Sequence, residues 1–177
     1  MNILNFRDDR NKKVRGLKRK KRSMLQKIIN CTLNFPEENL EDGFWHIHLP
    51  VKRSFIDSAK VPFGIKRACM QSLIDRAEHL IKIKPVTESI SRVVVLINLS
   101  HLWDSEIIVF FGSNHYNGFF DRNNDSQKWL PLPKDRDISI ECKLLLPQNF
   151  KIRGFKEIIN DDDLTYESEL WFLGELD

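Results

Sequence analysis

The spacing of hydrophobic positions changes several times along this chain, and each change marks an element. In "KKVRGLKRKKRSMLQKIINCTLNFPEE", Val14, Leu17, Met24, Leu25, Ile28, Ile29 and Leu33 recur three, four and seven residues apart. That period draws one apolar stripe on a helix, with cations around the rest. Gly16 weakens the start and Pro36 follows the end, so the pattern predicts a helix over residues 17–33. A second stripe, Ile65, Ala68, Cys69, Leu73, Ala77, Leu80 and Ile81, runs through "IKRACMQSLIDRAEHLIKIKP". Pro62 stands near the entry of this second helix and Pro85 ends it.

Elsewhere the period is two, or the run is continuous. "GFWHIHLPV" reads as a strand, with Trp45, Ile47 and Leu49 on the inward face and His46 and His48 side by side on the other. "SFIDSAKVPFGIKR" begins as a loop. "RVVVLINL" and "EIIVFFG" are unbroken apolar runs suited to buried strands, joined by the turn-like "SHLWDS" as a hairpin. Residues 113–137 are polar and punctuated by Gly118, Pro131 and Pro133, a long loop that packs through Trp129 or carries function. "ISIECKLLL", "FKIRGFKEI" and "YESELWFLGEL" read as further strands. In the last, Tyr166, Ser168, Leu170 and Phe172 alternate with Glu167, Glu169, Trp171 and Leu173, which leaves the buried face open.

One basic helix, a strand, a long helix and several strands predict an α+β fold. The expected form is one antiparallel or mixed β-sheet, covered on one face by one long helix and a basic N-terminal helix. Residues 1–11 are expected to be a flexible N-terminus. Residues 12–177 form a single α+β domain, with 12–34 the basic amphipathic helix and 44–177 the sheet-containing body.

Composition narrows the class. Hydrophobic residues make up 41% of the 177, with 12 Phe and 4 Trp, enough for a packed core. The three cysteines, Cys31, Cys69 and Cys142, are odd in number and far apart, unlike a disulfide framework or a zinc ribbon. The N-terminus is charged where a secretory leader would be apolar, and the longest apolar runs are too short to cross a bilayer as helices. A reduced, cytoplasmic protein is expected.

The net charge of +3 hides an asymmetry. Residues 1–34 carry 11 Lys/Arg against 2 Asp, whereas the remainder carries 17 basic and 23 acidic side chains. From Glu157 to Asp177 every charged side chain is acidic. A basic head on an acidic body can bind a polyanion or partly neutralise its own body. The densest part, "NKKVRGLKRKKRS", holds Lys12, Lys13, Arg15, Lys18, Arg19, Lys20, Lys21 and Arg22, the candidate nucleic-acid-binding residues. It lacks interleaved aromatics for base stacking, so anionic lipid, a solvated face or a protein contact stay open.

The paired histidines are the candidate chemistry. A metal site would need a further ligand, and His79, His101, His115 and the carboxylates lie at no motif spacing. H-E-x-x-H, C-x-x-C and H-x-x-E-H are all absent, so no metal and no cofactor is expected. The two-histidine phosphoesterases need H-x-[ST] twice, but "HIH" lacks the hydroxyl and "INLS" has Asn98 where the second histidine would stand. His46 and His48 therefore read first as the polar face of a half-buried strand. They are the catalytic candidates only if the protein is an enzyme. His101, Asp104 and His115 could gather at the ends of the central strands.

"DRNNDSQKWLPL" imitates a calcium loop through Asp121, Asn123 and Asp125. It has Ser126 at the glycine position and Leu132 at the final acidic one, so turn chemistry explains it better. Neither a phosphate-binding loop nor a G-x-S-x-G elbow occurs. Cys69 sits on an apolar stripe and reads as an inert buried thiol.

Taken together, "VRGLKRKKRSMLQKI", "FWHIHLPV", "SFIDSAKVPFGIKRACMQSLIDRAEHLI" and "YESELWFLGELD" resemble a family of small uncharacterised cytosolic proteins, a domain of unknown function, from Bacillus and related bacteria and their mobile elements. The resemblance covers nearly the whole chain from about Lys12. It implies a cytosolic bacterial protein and carries over no activity and no catalytic residue. Immunity, antitoxin and counter-defence proteins are common in such a setting.

The expected function is a non-enzymatic module that binds a partner protein, in immunity, antitoxin or phage–host conflict. Trp129, Asp161, Asp162 and Asp163 are its candidate contacts, alongside Trp103 and Trp171. Nucleic-acid binding through Lys12–Arg22 is the alternative, and a histidine-dependent phosphodiesterase the third reading. Neutralising Lys18 to Arg22 should weaken nucleic-acid binding and flatten its dependence on salt, as measured by titration at several ionic strengths. Unchanged binding would remove the nucleic-acid reading.

Overall fold

A computed structural model describes residues 43–83, 90–111, 127–148, 150–161 and 164–172, together with Arg19, Arg22, Ser23 and Gln26. Six strands, β1 (Gly43–His48), β2 (Ile90–Asn98), β3 (Glu106–Phe111), β4 (Gln127–Pro131), β5 (Arg153–Asp161) and β6 (Leu164–Phe172), form one sheet. Their order is β1-β3-β2-β6-β5-β4, and every neighbouring pair is antiparallel. Among the described residues from 43 onward, the helices are α1 (Arg53–Ile56), α2 (Phe63–Ile83) and α3 (Ile138–Glu141), with a 3-10 turn at Leu102–Asp104 between β2 and β3.

The unbroken apolar runs of β2 and β3 lie at the inner positions of the sheet, paired from Val93↔Val109 to Leu96↔Glu106. Successive side chains point to opposite faces, so a run without polar residues needs cover on both. One set, Val93, Val95, Ile97, Ile107 and Val109, joins Ile65, Cys69, Leu73, Ala77 and Leu80 of α2 in the main core. Met70 and Ile74 of the same helix are also buried, so the α2 stripe is wider than its spacing predicts. The other set, Val94, Leu96, Ile108 and Phe110, packs with Leu170 and Phe155 in a separate cluster.

β1 follows the predicted alternation with one correction. Ile47 and Leu49 pack on the core, but Trp45 is 44% exposed. β1 is an outer strand paired only with β3 among the described residues, so even its core-facing side chains lack a strand neighbour on one flank. The predicted loop after it starts with the short α1, whose Ile56 is fully buried.

"ISIECKLLL" forms no strand. Asp137 caps a helical turn by accepting hydrogen bonds from the Ser139 amide at 2.7 Å and the Ser139 hydroxyl at 2.6 Å. At the other end the Leu144 amide donates to Ser139 O at 2.8 Å and the Lys143 amide to Ile140 O at 3.2 Å. That is a Schellman closure, and it places Lys143 at φ 53°, a left-handed position that glycine usually fills. Capping chemistry at Asp137 outweighs the strand propensity of the isoleucines. Gln71 of α2 then anchors the segment: its amide donates to Leu145 O and accepts from the Leu145 amide, both at 2.8 Å.

The long polar stretch 113–137 contains β4, paired to β5 from Gln127↔Ile159 to Pro131↔Phe155. As an outer strand, β4 tolerates Pro131, which would cost a hydrogen bond at an inner position. The register of β6 is also fixed: Trp171 faces the main core, and Leu170 the second cluster. Gly154 lies directly opposite Trp171, and a Cβ there would meet the indole at 2.6 Å. Of the helix expected over 17–33, only Arg19, Arg22, Ser23 and Gln26 are among the described residues, all helical and exposed. The rest of it, and its packing, lie outside them.

Gly154→Ala should lower stability by about 1–3 kcal/mol, because the fully packed Trp171 ring cannot move aside. The midpoint of denaturant unfolding measures this.

Candidate functional site

Antiparallel pairing brings to the sheet edge a residue that linear spacing cannot connect with the histidines. His48 lies directly opposite Glu106, and His46 opposite Ile108, one pleat further along the same face. Glu106 opens β3 after the 3-10 turn and is only 9% exposed, so its carboxylate needs polar partners. It finds both imidazoles. His46 Nδ1 donates to Glu106 Oε2 at 2.8 Å, and His48 Nδ1 lies 3.2 Å from the same oxygen. The two rings are stacked, 5.9 Å between centroids and 5° from parallel.

An imidazole that donates from Nδ1 to a carboxylate is held in one orientation by that bond. A carboxylate holding an imidazole in this way is the orienting half of a proton-transfer device. It is equally what a buried carboxylate requires for its own satisfaction. Sequence reasoning placed the histidines on one face and missed Glu106. The available signal was an acidic residue at the head of an otherwise apolar strand, "EIIVFF".

The other candidates disperse. His101 is exposed, and its amide donates to Asn98 Oδ1 at 2.9 Å in the turn after β2. His79 is exposed on α2, and His115 lies outside the described residues. Trp171 is core, whereas Trp103 is 39% exposed. The Trp103 amide donates to Asp57 Oδ1 at 3.1 Å, and Arg53 lies 5.7 Å from its ring centroid. Nearby Lys66 is buried, and desolvation lowers its pKa, partly offset by Asp57. Trp129 lies in β4 opposite Glu157, and Asp161 ends β5 opposite Leu164. Asp162 and Asp163 are outside the described residues, as are the basic positions other than Arg19 and Arg22.

Two further features are structural. Arg136 forks onto Glu141 with two bonds of 3.0 Å, donates to Glu169 Oε1 at 2.7 Å, and lies 5.6 Å from the Trp171 ring centroid. Hydrogen bonds to both carboxylates push its pKa further up. This cation ties the α3 segment to β6. Burial pushes the thiols of Cys69 and Cys142 up to about 12, so both stay protonated near neutrality and make poor nucleophiles.

Among the described residues, no group of three or more His, Cys, Asp or Glu could hold a metal ion, and no helix is long and apolar enough to cross a membrane. A six-stranded antiparallel sheet with a few helices defines an α+β protein with a paired-histidine edge. The chain belongs to the family described as a protein of unknown function, DUF3916, whose model matches residues 25–175. The match begins after the last cation of the basic run, Arg22. No curated protein and no solved structure matches the chain.

The His46–Glu106 bond should appear as a coupling of about 1 kcal/mol in a double-mutant cycle of His46→Ala and Glu106→Gln, followed by equilibrium unfolding. Strict additivity would show that the pair is adjacent without interacting.

Proposed function

We propose that this protein is a non-enzymatic interaction module that engages a partner protein through the outer strand β1, in a setting of immunity, antitoxin action or phage–host conflict. The observation that carries the reading is Trp45. It is a large aromatic side chain, 44% exposed, in the middle of an outer strand that pairs with β3 along its whole length. Tryptophans at rigid, partly exposed positions are the side chains that most often anchor protein interfaces. His48, exposed on the opposite face of the same strand, adds a polar contact at the rim. The division between a basic head and an acidic remainder supports electrostatically steered association.

The experiment is affinity capture with the full chain as bait, beside Trp45→Ala. A partner held by the native chain should bind Trp45→Ala at least about tenfold more weakly. A partner retained equally by both would place the interface elsewhere, and the absence of any partner would remove the reading.

A further inference from the structure

Among the described residues, β6 extends past the end of β2. Its pairing with β2 covers Leu170–Phe172, and the Leu99 amide adds one bond to Glu169 O at 3.1 Å before the chain turns away. Its pairing with β5 runs on through nine positions, from Arg153↔Phe172 to Asp161↔Leu164, and β4 joins the far side of β5. The outcome is a three-stranded arm whose backbone is fixed by its own ladder. Alternation puts Ser168, Tyr166 and Leu164 on the face that carries Leu170. Glu157 and Ile159 stand opposite Ser168 and Tyr166 on that same face.

Two large side chains of this face stand mostly in water, Leu164 at 60% and Tyr166 at 52% exposure. The Ser168 hydroxyl donates to Glu157 Oε2 at 2.9 Å and so holds a carboxylate one row from Tyr166, about 7 Å along the strand. Over residues 155–161 and 164–170 the charged positions on this face are Glu157 and Asp161, both acidic. The cations of the region lie elsewhere. Lys156 pairs with Glu167, and Arg136 with Glu169, on the opposite face. Arg153 lies about 13 Å back along β5 from Glu157.

An exposed aromatic ring beside acidic positions suits a guanidinium, which stacks on the ring and donates its N–H groups to a carboxylate. The same acidic positions repel a phosphate backbone, so the face selects a cationic protein segment over nucleic acid. We propose that the arm binds an arginine-bearing segment of a partner protein at this face. The guanidinium stacks on Tyr166 within reach of Glu157, and apolar neighbours of the arginine lie against Leu164 and Ile159. The rigid ladder sets these groups in place before the partner arrives, which lowers the ordering cost of association. This surface is separate from Trp45, because β1 and the arm stand at opposite ends of the strand order.

The test titrates the full chain with a peptide of about eight residues alternating arginine and leucine, and follows backbone amide shifts and affinity. Shifts should concentrate on Ile158–Asp161 and Leu164–Ser168. Tyr166→Ala should weaken binding at least about fivefold, while Tyr166→Phe, which keeps the ring, should retain most of it. Glu157→Gln should also weaken it, and a peptide with glutamate in place of arginine should not bind. No saturable binding, shifts centred outside the arm, equal affinity for Tyr166→Ala, or equal binding of the glutamate peptide would each overturn the proposal. Trp45→Ala should bind the peptide as the native chain does, so failure at the arm leaves the β1 reading standing.

Discussion

The structure depends on burying β2 and β3 from both sides. "RVVVLI" and "IIVFF" carry apolar side chains at every position, and an antiparallel strand presents alternate ones to opposite faces. A single covering layer would leave Val94, Leu96, Ile108 and Phe110 in water, at roughly 1.5–3 kcal/mol for each large apolar side chain. The hairpin therefore takes inner positions, flanked by β1 and β6, and its two faces seed two clusters. The main core collects the helices, and the second cluster is built around four residues of the hairpin itself.

The same constraint explains the chemistry at the sheet edge. Glu106 begins the strand that the apolar run compels to be buried, so its carboxylate is drawn out of water with it. β1 pairs in the register that brings His48 directly across and His46 one pleat away, and both imidazoles turn Nδ1 toward one oxygen. The first role of the pair is thus to satisfy a charge that the hairpin forces inward. Any binding or proton-transfer role is built on that arrangement. At the opposite side of the sheet, Arg136 performs a comparable task between Glu141 and Glu169 while lying against Trp171.

Much of the fold was legible because its strongest signals are local. The α2 stripe, the β2–β3 hairpin and the strand character of β1 follow from spacing alone, and so does the shared face of His46 and His48. Other features were not legible. The "ISIECKLLL" stretch has strand composition, but Asp137 and the left-handed Lys143 close it as a helical turn that Gln71 anchors from α2. β4 hides in a polar stretch because an outer strand can be polar and carry a proline. Trp45 follows the inward alternation yet stays largely exposed, because its strand is the last in the sheet.

The sequence by itself determined which segments must be buried and which residues share a face, since both follow from periodicity and from the free energy of removing apolar groups from water. It also determined the charge division along the chain. Only the tertiary structure decided which residues from distant segments meet. Strand order and register are set by how whole faces pack, so the partnership of Glu106 with His46, about sixty residues apart, becomes visible only when β1 is laid against β3.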